Sequence, residues 1–201
     1  DNNTGIIRGN NITLTSSENL ILEGKIQGIN NLLISGVDIT NNGNTINSGL
    51  LRLSGRDITN NLTISAGNVE LLATGNILNN SMIEGERGKL SGNNITNKDL
   101  IIFLDKLDIE GTKLVNKDAS VYSDDELNIS TGDVDNTGGE IVGQSTLNIT
   151  GFNLLDNTKG IIDSRGNILL SGNKLLNSGE VSGQYRLYWE TWDGRTRYDD
   201  V

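Results

Sequence analysis

Cysteine, histidine and proline are all missing from this 201-residue chain, and aromatic residues are few: two Phe, four Tyr and two Trp. Without histidine or cysteine there is no Ser-His-Asp triad, no thiol nucleophile, no Cys/His zinc site and no disulfide framework. Any catalysis would rest on carboxylates, Lys, Ser/Thr or Tyr. Basic charge is also short, with 16 Lys and Arg against 26 Asp and Glu for a formal net charge of −10, and the charges are scattered. A phosphate-binding surface needs a basic stripe, so nucleic acid is not an expected partner. The longest uncharged apolar run, Leu100 to Leu104, falls far short of the roughly 20 residues that span a bilayer. No signal peptide opens the chain and its only Met is at position 82. It therefore reads as an internal piece of something longer.

What the chain has in excess is asparagine, 29 residues, and glycine, 25 residues, and both follow a repeat. The strings Leu51-Arg52-Leu53-Ser54-Gly55, Leu147-Asn148-Ile149-Thr150-Gly151 and Ile168-Leu169-Leu170-Ser171-Gly172 share one pattern, with looser copies between them. Anchoring on the last residue of each copy gives Ser16, Gly36, Gly55, Gly75, Gly92, Gly111, Thr131, Gly151 and Gly172. The unit is about 19 to 20 residues long, within the range of solenoid repeats.

Two and four residues before each anchor the chain is apolar, as at Leu53 and Leu51 or Ile149 and Leu147, with Gly88 the exception. The residue between them is mostly polar, which is the alternation of a strand with one buried face. A second apolar column stands three after the anchor, including Ile58, Leu78 and Leu154. A third lies near ten after it, including Ile46, Val121, Ile141 and Ile161. Five after the anchor come Asn41, Asn60, Asn80, Asn97, Asn116, Asn136, Asp156 and Asn177. Identical amides stacked in this way can hydrogen-bond in a ladder along the stacking axis. Glycines such as Gly43, Gly139, Gly160 and Gly179 mark the bends.

Three short apolar clusters per unit, divided by Asn, Gly and Ser, leave no stretch for an amphipathic helix. The expected fold is all-β, a right-handed parallel β-helix of about nine 19- to 20-residue coils, roughly 40 Å long at one strand spacing per coil. The absence of proline agrees, because nearly every strand is central and each needs its ladder hydrogen bonds. Interior Leu and Ile, rather than Phe or Trp, suggest a cross-section with room for medium side chains only. A leucine-rich repeat has a similar period but places its Asn differently and adds a convex-side segment that is absent here.

The unit Leu-x-Ile/Leu-Ser/Thr-Gly-x-x-Ile/Leu-x-Asn-x-Gly-x-Ile, seen over Leu147 to Ile161 and Ile168 to Val181, resembles the haemagglutinin repeat of filamentous haemagglutinin and of CdiA, the contact-dependent growth inhibition effector. The resemblance spans about Asn10 to Gln184. It implies a two-partner-secretion exoprotein, exported through an Omp85-type outer-membrane transporter and displayed as a filament on the bacterial surface or released from it. In that family the repeats form a stalk that carries receptor-binding or toxin regions away from the cell. The Asn-Pro-rich secretion signature and a toxin domain are both absent, which places the piece in mid-stalk. The implied chain is a monomer without cofactor, its partners being the transporter and an outer-membrane or host receptor.

Residues 1–184 read as the repeat domain and 185–201 as an aromatic cap or a junction to a following domain. Tyr185, Tyr188, Trp189, Trp192 and Arg195 are residue types that dominate binding hot spots and stack on sugars, so this segment is the candidate receptor- or glycan-binding site. The enzymatic alternative is a polysaccharide-cleaving β-helix, which needs two carboxylates across one cleft. Its candidates are Asp124, Asp125 and Glu126, with Asp105 and Asp108 one coil earlier. A solvated loop is the expected reading there, with no catalytic and no metal-binding residue assigned.

Overall fold

A computed structural model describes residues 5–190 and 196–197, with side chains over 5–45, 49–183. The described residues form strands and turns without a helix, wound into a parallel β-solenoid. Each strand pairs in parallel with its equivalent one coil later: Ile7 faces Ile26, Ile26 faces Thr45, Ile64 faces Ile83, and the row continues through Val121 and Ile141 to Ile162 and Val181. The long strands Ile64–Ala73, Ile83–Asn97 and Leu100–Val115 turn corners without losing this pairing. Backbone hydrogen bonds thus run from coil to coil along the axis. That is why an N–H is needed at almost every position and proline at none.

Alternation decides which side chains enter the core. Leu51, Leu53, Ile58 and Ile64 are fully buried within one coil, while the intervening Arg52 is half-exposed. One coil cannot cover its own apolar face, so the buried Leu and Ile of successive coils form a single continuous core. Each contributes roughly 1.5–3 kcal/mol.

One-residue insertions shift the columns in places. Ala73, not Gly75, stands opposite Gly55, and the chain between Ala73 and Ile77 is one residue longer than the equivalent chain between Gly55 and Ile58. The column positions of that coil are therefore held by the buried Val69, Leu71 and Ile77, and Leu78 is only half-buried. A similar insertion falls at Gly151, whose φ of 75° suits glycine. Phe152 rather than Gly151 pairs with Gly172, and Leu155 rather than Leu154 enters the core. In the third column Thr45, opposite Ile26 and Ile64, is buried, and Ile162 is buried in place of the expected Ile161, which is 39% exposed; the side chain of the expected Ile46 lies outside the described residues.

The expected limit to medium side chains also gives way. Phe103 and Phe152 are both buried, each beside a glycine of an adjoining coil. A Cβ on Gly88 would stand 2.6 Å from two atoms of the Phe103 ring. Gly88, the one break in the apolar column, is the hole that the ring fills.

The strand Glu180–Glu190 runs through position 184 and extends the parallel stacking, with Tyr185 opposite Ile168 and Leu187 opposite Leu170. Thr196–Arg197 then pairs with Trp189 and Glu190 in the antiparallel sense.

Candidate functional site

A continuous row of asparagine amides lies inside the core. Asn41, Asn60, Asn79, Asn97, Asn116, Asn136, Asn157 and Asn177 stand one above another, and all but the last are buried. Each Nδ2 donates to the Oδ1 of the next coil, Asn41 to Asn60 at 2.7 Å and Asn157 to Asn177 at 2.9 Å, with 2.8 to 2.9 Å between. The second amide hydrogen is satisfied at backbone carbonyls: Asn116 donates to Ala119 and Glu140, Asn136 to Gly139 and Ile161. Close packing at this corner requires glycine, because a Cβ on Gly139 or Gly160 would collide with the carbonyl of Asn116 or Asn136.

Two positions of the expected ladder are corrected. Asn79 and Asn157 hold the places assigned to Asn80 and Asp156, for the same one-residue insertions that shift the apolar columns. Asn80 belongs instead to an exposed row in which it donates to Asn61 and Asn61 to Asn42. Surface rows run in the opposite direction to the core ladder, and two of them end on carboxylates. Asn94 donates to Asn76 and Asn76 to Asp57, while Asn148 donates to Asn128 and Asn128 to Asp108. The backbone N–H of Asn76, with its side chain and Arg56, holds the Asp57 carboxyl below its ordinary value.

Four of the five carboxylates weighed for catalysis are engaged in surface contacts. Asp105 pairs with Arg87 at 2.6 Å, and Lys106 bridges Asp108 and Glu126 at 3.5 and 3.2 Å. Glu126 also accepts from Asn128, and that bond together with Lys106 lowers its pKa. Asp124 accepts from the Tyr122 hydroxyl, whose pKa is raised by burial and by this bond. Asp125 offers its backbone carbonyl to Ser145 and Thr146. Among the described residues no group of three or more Asp or Glu is placed to hold a metal ion.

Of the aromatic segment, the main chain of Tyr185, Tyr188 and Trp189 lies in the last long parallel strand; their side chains, and all of Trp192 and Arg195, lie outside the described residues.

A surface feature with no sequence signal of its own sits at mid-rod. Two residues, Ser48 and Gly49, round the first corner of one coil, and Leu104 and Asp105 do so three coils later. The two coils between turn with a single residue each, Gly67 and Glu86. The shortened corners leave a notch with two flanks. One flank, about 380 Å³, is lined by Ser65, Ala66, Glu84, Glu86, Ile102 and Leu104. The other, about 440 Å³, includes Arg87, Lys89, Lys106, Glu70 and Asp108.

Fold and side-chain arrangement together define a parallel β-solenoid with an internal amide ladder. No protein-family model, curated protein or solved structure matches the chain.

Proposed function

We propose that this chain is a stalk segment of a bacterial exoprotein, of the kind suggested by its likeness to haemagglutinin repeats. It spaces receptor-binding or toxin regions from the cell surface and performs no catalytic step of its own. The observation that carries the reading is the unbroken stacking from Ile7 to Val181, with one hydrogen-bonded ladder passing through eight coils. Such a quasi-one-dimensional array gains length by adding coils without changing any existing contact, which is what a spacer requires. Absence of proline and of disulfides suits export as an unfolded chain through an Omp85-type transporter, followed by winding outside the cell.

The test is export. The chain is joined behind a two-partner secretion domain and expressed with and without the matching Omp85 transporter. Transporter-dependent appearance outside the cell, as a protease-resistant rod by electron microscopy, supports the reading. Retention in the periplasm, or exit without the transporter, contradicts it.

A further inference from the structure

The first flank of the notch sets an exposed apolar side chain beside two carboxylates. Leu104 is 62% exposed, the most exposed large apolar side chain among the described residues, and it stands beside the half-buried Ile102. Across the hollow lie Glu84, whose backbone register places it between Ser65 and Ile102, and the exposed Glu86. Neither carboxylate has an ion pair or side-chain hydrogen bond with any described residue. On the opposite flank each cation is already paired: Arg87 with Asp105, Lys89 with Glu110, Lys106 with Asp108 and Glu126. An anionic ligand would have to break an existing pair to bind there, whereas a cationic one meets unpaired charge at Glu84 and Glu86. No aromatic side chain lines the hollow, so the stacking platform that sugars favour is missing.

We propose that this flank docks an extended peptide segment that sets an aliphatic side chain against Leu104 and Ile102 and a lysine or arginine against Glu84 and Glu86. The hollow crosses three coils, about 10 Å at one strand spacing each, which matches roughly three residues of extended chain. This site is independent of the stalk reading and would stand on a rod of any function.

The test is fluorescence polarisation with a labelled (Lys-Leu)₃ peptide on the whole chain at physiological salt. Saturable binding is expected, weakened about tenfold by Leu104→Ser, by Glu84→Gln, or by replacing the probe with (Lys-Ser)₃, since about 1.4 kcal/mol of lost contact is tenfold in affinity. The double variant Glu140→Gln/Glu180→Gln, which removes carboxylates elsewhere, should leave binding unchanged. None of the four residues is buried, and an unchanged melting temperature confirms that each variant is folded. The proposal is overturned by no binding, by equal affinity for (Lys-Ser)₃, or by insensitivity to Leu104→Ser. Equal loss in the control variant, or Leu104-dependent binding of chitohexaose in place of peptide, also overturns it.

Discussion

The Thr45 hydroxyl donates to Asn41 Oδ1 at 2.9 Å, and this bond ends the amide ladder. Every later Oδ1 in the ladder receives an N–H from the coil before it, but the residue opposite Asn41 in the preceding coil is Leu22. Thr45 stands in a column otherwise held by Ile and Val and is 1% exposed, so its shape satisfies the core while its hydroxyl supplies the missing donor.

Thr45→Val keeps that shape and removes the donor. A buried acceptor left without a partner costs about 1–3 kcal/mol, so the variant should lose stability by that amount in urea unfolding. Native-state amide exchange should accelerate most around residues 39–46. Thr45→Ser, which retains the hydroxyl, should lose only about 1 kcal/mol for its missing methyl group.

Phe103 and Gly88 should behave as one unit. Phe103→Ala leaves a cavity and is expected to cost about 3–5 kcal/mol. Gly88→Leu alone drives a side chain into the ring, an overpacking cost of about 1–3 kcal/mol. The double variant Gly88→Leu/Phe103→Ala rebuilds the column found in the other coils. It should be more stable than either single variant, with a coupling of at least about 1 kcal/mol in a double-mutant cycle.

Adjacent residues on one strand should differ sharply. Leu53 is fully buried, and Leu53→Ala is expected to cost about 2–5 kcal/mol. Arg52 pairs with Glu70 at 2.5 Å, but its side chain is 43% exposed, so Arg52→Ala should cost about 0–1 kcal/mol. Equal losses in thermal melts would place the strand in the wrong register.

Asp57 and Glu126 are both held below their ordinary pKa values in the fold, Asp57 chiefly by the backbone N–H of Asn76 and Glu126 chiefly by Asn128. Their stabilising contribution is present above the unfolded values, about 3.9 for Asp and 4.3 for Glu. It fades as pH falls through the lower folded values. The melting temperature should therefore drop below about pH 4, and Asp57→Asn and Glu126→Gln should each flatten that acid limb. Arg52, Arg56 and Lys106 are shifted upward by their carboxylate partners. Their contribution persists through neutral pH and is lost only under strongly alkaline conditions.

The repeat, the three apolar columns and the ladder were legible in the sequence, because a strand's period of two and a coil's period of 19 to 20 leave the same residue type at the same offset. Local insertions hid the rest. Thr74-Gly75 imitates the Ser/Thr-Gly ending of the motif, and sliding the frame by two keeps both strand positions apolar, so an anchor at Gly75 puts Leu71 and Ala73 where Val69 and Leu71 belong. Asn79 and Asn80 are adjacent and chemically identical, and only the backbone path from Ala73 to Ile77 decides between them. Thr45 gave no apolar signal. The notch arises from corners one residue shorter, which a sequence shows only once the register is known.

Asn79 and Asn80 provide the most direct test that a buried, continuous amide ladder holds this rod together. Equilibrium unfolding of Asn79→Ala should show a loss of about 1–3 kcal/mol, since inside the core Asn60 Nδ2 keeps only the Met82 carbonyl at 3.5 Å and Asn97 Oδ1 only the Asp99 N–H at 3.4 Å. Asn80→Ala, on the exposed row, should change stability by less than about 0.5 kcal/mol. Equal losses, or a larger loss at Asn80, would contradict the ladder.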